Sequence, residues 1–266
     1  MKSKTRFLFT LLTSALAFQG FSQTNLSNPD MEKLKTRKVL FVVTSTGQVP
    51  TNGEPTGMWL EEFTTPYYLL TDQGISVTIV SPAGGKAPIA PKSRQAQSAT
   101  PSAERFNGDA ALQEKLNNTA KLSTVKAADY DAVFYPGGHG PMWDLPENKL
   151  SIQLIEDFYA QGKPVALVCH APAALKNVQD QKGEPLVQGK KVTGFTNSEE
   201  TAGKSTAEVP FLLEDMLKEK GGIYERANDW QPFAIADGLL ITGQNPASAA
   251  LVAEKIIAAL KETAIR

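Results

Sequence analysis

Cys169 and His170 stand side by side after the apolar run Val165-Ala166-Leu167-Val168, and they are the residues of this chain best suited to chemistry. The run reads as a buried strand, and Ala171 to Asn177 is predicted to start a helix at once, with Pro172 allowed in its first turn. A residue at such a corner stands above the sheet on a strained turn, the geometry of a nucleophile elbow. Ala171, Ala173 and Ala174 are small enough for the two arms to pack. A helix N-terminus beside the sulfur favours the thiolate and lowers its pKa from a reference of about 8.5. A lone cysteine is by itself more often a buried small hydrophobe, so the elbow context decides for a nucleophile.

The chain has two histidines, His139 and His170, and both fall at the ends of predicted strands. His139 lies in Tyr135-Pro136-Gly137-Gly138-His139-Gly140. The backbone N–H groups of that glycine turn, with the N–H of His170, can form an oxyanion hole for a developing alkoxide. Gly137 and Gly138 also suit a tight turn that needs positive φ, and the His139 ring could simply pack over it.

These groups need a scaffold that brings strand ends together. Strands are predicted at 38–44, 76–80, 131–135, 164–168, 191–195 and 238–242. Helices are predicted at 58–73, 109–122, 149–161, 171–177, 209–220 and 246–261. Residues 82–107, rich in Pro, Gly, Ser and Ala, read as a surface excursion. The alternation predicts an α/β fold: a three-layer sandwich with a mostly parallel central sheet flanked by helices. Such sheets bind ligands outside the carboxyl ends of their strands, where Gly137-Gly138-His139 and Cys169-His170 both fall.

Of the 266 residues, 1–22 read as a secretory signal peptide. Lys2, Lys4 and Arg6 precede an apolar run from Phe7 to Phe18, too short to span a bilayer, and the small residues Gly20 and Ser22 suit cleavage before Gln23. Residues 23–37 are a polar lead-in, and 38–266 one α/β domain. Export to the periplasm or medium follows, with no stable membrane span after processing. One cysteine excludes an internal disulfide. A net charge of −1, with acids and bases interspersed, argues against a nucleic-acid partner.

Four motifs resemble the PfpI superfamily: Cys-His-Ala-Pro-Ala-Ala-Leu (169–175), Tyr-Pro-Gly-Gly-His-Gly-Pro-Met-Trp-Asp (135–144), Gly-Met-Trp-Leu-Glu-Glu-Phe-Thr-Thr-Pro-Tyr (57–67) and Val-Thr-Gly-Phe-Thr-Asn-Ser-Glu-Glu (192–200). This is the flavodoxin-like, class I glutamine-amidotransferase-like fold. Asp237-Gly238 and the segment 242–248 resemble its heat-shock chaperone-like glyoxalase III and deglycase branch. The resemblance implies that Glu62, rather than Glu61, contacts the nucleophilic sulfur as a general acid/base. It also implies that Glu200, with Glu199 as the fallback, orients His170. Two departures stand out: Ala171 replaces a common glycine, and no histidine follows His170. The second argues against glutamine hydrolysis by a downstream His-x-Glu pair.

The implied activity is cofactor-independent conversion of 2-oxoaldehydes such as methylglyoxal to 2-hydroxy acids, or deglycation of early adducts. The partner would be a small carbonyl compound or a glycated protein, and the implied assembly a homodimer. A holding chaperone or redox sensor, with Cys169 oxidised to a sulfinate, is the first alternative. A cysteine peptidase or amidase is the second; an open cleft would favour it, and a narrow pocket closed by Trp143 and Trp230 would oppose it. No metal site is expected, because His139, His170, Cys169 and Glu62 lack a recognisable ligand spacing.

Overall fold

A computed structural model of the chain describes residues 32 and 34–263, so the leader over 1–22 lies outside the described residues. The first half runs β1 (Lys38–Val42), α1 (Leu60–Thr71), β2 (Ser76–Ser81), α2 (Pro101–Gly108), α3 (Ala110–Asn117), β3 (Ala120–Lys121) and β4 (Ala132–Tyr135). Next come α4 (Pro141–Asp144), α5 (Lys149–Ala160), β5 (Val165–Val168), β6 (Lys191–Val192), α6 (Asn197–Ala202) and α7 (Leu213–Glu219). The chain continues through β7 (Ile223–Tyr224), β8 (Ala234–Asp237), β9 (Leu240–Gly243) and α8 (Ala249–Thr263).

Seven strands form one sheet in the order β3-β2-β1-β4-β5-β9-β8, parallel except for β8 at the edge. Its centre is apolar on both faces: Val39 to Val42, Ala132 to Tyr135 and Val165 to Val168 are all fully buried. That is the pattern of strands covered on two sides. The crossovers β1-α1-β2 and β4-α5-β5 run in opposite directions along the sheet, so right-handed connections set α1 and α5 on opposite faces. Helix α8 packs beside α1. Local sequence marks the helix starts. The Asn148 side chain caps α5 by accepting from the N–H groups of Leu150 and Ser151, and Thr196 caps α6 in a box with Glu199.

The expected sandwich is present, with several local differences. Residues 82–107 are not a bare excursion, since two 3₁₀ turns and most of α2 lie there. The helix predicted at 109–122 ends at Asn117, and the chain then adds edge strand β3. The strand predicted at 191–195 shrinks to β6, which pairs with β7 outside the central sheet. Strand β8, with no strong apolar run of its own, joins as an antiparallel edge that needs only one neighbour.

Candidate active site

Strand order reverses between β1 and β4, with β2 and β3 to one side and β5 to the other. A crevice at the carboxyl ends is expected at such a point. Three segments meet there: the start of α1, the turn after β4 and the corner after β5.

Cys169 is that corner. Its φ is 61°, unusual for a residue with a side chain, and two backbone bonds hold it there. Its N–H donates to Gly243 O at 2.9 Å, and its carbonyl accepts from Phe195 N at 2.9 Å. The predicted helix after it is only a short 3₁₀ turn, Ala171–Leu175, so the expected helix dipole is largely missing. The expectation of a lowered thiol pKa is overturned. The Cys169 thiol is pushed well up, first by burial and then by the Glu62 carboxyl beside it, with the Gly138 N–H working the other way. Cys169 is only 3% exposed, and the group rests as a thiol.

Glu62 comes from α1, which is pinned to the glycine turn. Trp59 N–H donates to Gly137 O at 2.9 Å, and Gly140 N–H donates to Gly57 O at 3.1 Å. Glu62 Oε2 accepts from Gly137 N–H at 2.9 Å, while Oε1 is buried with no hydrogen-bond partner. Burial, with Glu61 adding to it, raises the Glu62 pKa well above the carboxylate range despite opposing contacts from Cys169 and Gly137. A carboxyl held neutral in this way can carry a proton beside sulfur. Gly138 has φ 89°, and a Cβ there would collide with the backbone of Gly57 to Trp59. Gly138 N–H is directed at the Cys169 sulfur, and among the described residues neither it nor His170 N–H donates to a protein oxygen, so the pair can serve an oxyanion formed on that sulfur.

His170 Nδ1 lies 3.3 Å from Cys169 Sγ, and its Nε2 lies 2.7 Å from Glu200 Oε2. His139 Nε2 reaches the other oxygen of the same carboxylate, Oε1, at 3.0 Å. Burial on its own would raise the Glu200 pKa, but the two imidazoles outweigh it and hold the group ionised. Burial, then neighbouring His139, pushes the His170 pKa down to about 4. The neutral ring donates Nε2–H to Glu200, which leaves the Nδ1 lone pair facing the thiol. The ligating atoms of His139, His170 and Glu200 all lie within 4.8 Å of one another.

Glu62, Gly137, Gly138, His139, Cys169, His170 and Glu200 are thus all brought together. Glu199, the fallback acid, points elsewhere. Its Oε1 accepts from Trp230 N at 2.7 Å, Asn245 Nδ2 at 2.8 Å and Gln244 Nε2 at 3.2 Å. Sequence reasoning did not find that role; the capping spacing from Thr196 to Glu199 was its only local signal. A cavity of about 430 Å³ opens over Cys169 and His170, with Trp59, Phe195 and Trp230 among its walls. Trp230 lines it, whereas Trp143 is absent from the lining and packs against the core instead.

Fold and site together define an α/β protein with a buried cysteine–histidine–glutamate cluster at the carboxyl edge of a parallel sheet. The chain belongs to the DJ-1/PfpI family, which matches residues 55–259. It is 34% identical over 240 residues to glutathione-independent glyoxalase HSP31 of Saccharomyces cerevisiae, covering 85% of this chain and 98% of that one. Among solved structures it resembles Rapid Encystment Protein 24 KDa of Francisella tularensis, at 41% identity and TM-score 0.80, over 84% of this chain and 99% of that one. It also resembles glyoxalase III of Candida albicans, at 30% identity and TM-score 0.75, over 84% and 97% of the two chains. No helix among the described residues is long and apolar enough to cross a membrane.

Proposed function

We propose that this chain is a glutathione-independent glyoxalase that converts 2-oxoaldehydes such as methylglyoxal to 2-hydroxy acids. The observation that carries the reading is the placement of Cys169 Sγ between His170 Nδ1, at 3.3 Å, and the buried Glu62 carboxyl. The names of the Saccharomyces and Candida relatives support it.

The thiol proton passes to His170 Nδ1 as sulfur adds to the aldehyde carbon. The new alkoxide is held by the N–H groups of Gly138 and His170. The hydrogen on the former aldehyde carbon leaves as a proton, and Glu62 and His170 shuttle a proton to the neighbouring carbonyl carbon through an enediol. The first carbon is thereby oxidised to a thioester and the second reduced to a carbinol, with no external oxidant. Water then cleaves the thioester to the 2-hydroxy acid and restores the thiol. Glu200 keeps the His170 tautomer needed for the first step.

The test is lactate formation from methylglyoxal without added glutathione, in wild type and Cys169→Ala. Wild type should form lactate and the variant none. Absence of lactate from well-folded wild type sinks the reading.

Deglycation of early adducts is the second reading. The 430 Å³ cavity leaves room for a side chain bearing the adduct, beyond what methylglyoxal itself occupies. The basic start and short apolar run of residues 1–22 support export. N-terminal sequencing of the mature protein tests that, with Gln23 the expected first residue.

A further inference from the structure

We propose that His139, His170 and Glu200 form a binding site for a transition-metal dication of the zinc class, and that occupancy switches the relay off. The second half of this statement rests on the proposed glyoxalase reading; the first does not.

The donor set is two imidazole nitrogens and one carboxylate, held on three separate segments and converging on one point. Imidazole and carboxylate suit zinc, copper and nickel, and three protein ligands with one open position is the pattern of accessible zinc sites. With zinc–ligand distances near 2.0–2.2 Å, neighbouring donors of a tetrahedral site lie about 3.3 Å apart. The two nitrogen–oxygen pairs here, at 2.7 and 3.0 Å, and an outer limit of 4.8 Å for the whole set bracket that spacing. His170 and Glu200 are buried and held by their neighbours, whereas His139 is partly exposed and lines the cavity, which supplies an entry route and a fourth position open to it. His139 and His170 are also the chain's entire histidine complement, so any two-histidine site in one copy must be this one.

Occupancy has a defined chemical consequence. A ligating Nε2 cannot carry hydrogen, so the neutral His170 ring must hold its proton on Nδ1. That nitrogen is the one 3.3 Å from Cys169 Sγ. It then donates to sulfur instead of accepting the thiol proton, and Glu200 is no longer free to receive Nε2–H. The dication therefore removes the base without touching the nucleophile.

The experiment titrates the EDTA-treated full chain with zinc chloride by calorimetry, and with cobalt(II) by visible absorption. Wild type should bind one ion per chain, and Cys169→Ala should bind it with similar affinity. His139→Asn and Glu200→Gln should each weaken binding at least about tenfold. The cobalt spectrum should show ligand-field bands without thiolate charge transfer, a readout that stands even if a variant folds poorly. In wild type, one equivalent of zinc should suppress lactate formation, and EDTA should restore it. Loss of binding in Cys169→Ala, a thiolate band, or undiminished binding in folded His139→Asn overturns the site. Binding by the three residues with unchanged turnover overturns the switch alone. If wild type forms no lactate at all, the glyoxalase reading fails while the binding arms still decide the site.

Discussion

Glu62 can place its carboxyl beside the Cys169 sulfur because Gly137 has no side chain. Glu62 Oε2 accepts the Gly137 N–H at 2.9 Å, and a Cβ on Gly137 would run into that oxygen, Val168 O and Cys169 Cβ. The glycine thus serves by close approach, and the acid, the turn and the thiol are three parts of one contact.

Gly137→Ala should therefore displace Glu62 or the corner itself. A loss of about 1–3 kcal/mol in urea unfolding is expected from the overpacking. Lactate formation should fall by about a hundredfold or more, in line with loss of a positioned acid/base. Wild-type turnover in this variant would remove the contact from the mechanism.

Glu62→Gln keeps an oxygen to accept the Gly137 N–H but loses the exchangeable proton. Because Glu62 is already pushed toward its neutral form by burial, the substitution should leave stability within about 1 kcal/mol of wild type. Turnover should nevertheless drop by about 10²–10⁴. Paired measurements of methylglyoxal kinetics and urea unfolding separate the two effects.

Glu199→Gln tests the neighbouring acid, which accepts from Trp230, Gln244 and Asn245. Trp230 sits at φ 64° against the Phe195 ring, which in turn lies against His170. An amide in place of the carboxylate weakens charge-assisted bonds and faces its own donors toward theirs. We expect a stability loss of about 1–3 kcal/mol and a raised KM for methylglyoxal, with kcat less affected. A selective fall in kcat would instead give Glu199 a direct part in the chemistry.

Asp144 makes stability depend on pH. It is half-buried where α4 meets the end of β1, accepts from Thr44 Oγ1 and Ser45 N–H, and has its pKa raised from 3.8 to about 6, chiefly by desolvation of the carboxylate. Between those values the folded state holds a proton that the unfolded state has lost. The contribution is therefore full below pH ~4, falls as pH rises toward ~6 and is absent above, about 3 kcal/mol in all. Urea unfolding of wild type and Asp144→Asn across pH 4–7 should show this slope in their difference. Parallel curves would refute the assignment.

The candidate site was legible where it is written locally. Cys169-His170 after an apolar strand, and Gly137-Gly138 after another, are short patterns whose geometry follows from a strand ending in a turn. The resemblance then picked out Glu62 and Glu200, which their own neighbours in sequence do not distinguish from Glu61 and Glu199. The helix expected after Cys169 is a 3₁₀ turn instead: Ala-rich sequence favours helix, but the packed corner leaves room for only one tight turn.

By itself, then, the sequence determined the alternation of strands and helices and the strand ends where reactive residues could stand. Tertiary structure decided what those residues are. The thiol is raised rather than lowered because burial and Glu62, 107 positions earlier, outweigh a helix terminus that is barely formed. His139 and His170 share one carboxylate because the ends of β4 and β5 and the first turn of α6 converge on the same crevice. Such effects depend on distance and desolvation between remote segments, and neither leaves a periodic mark along the chain.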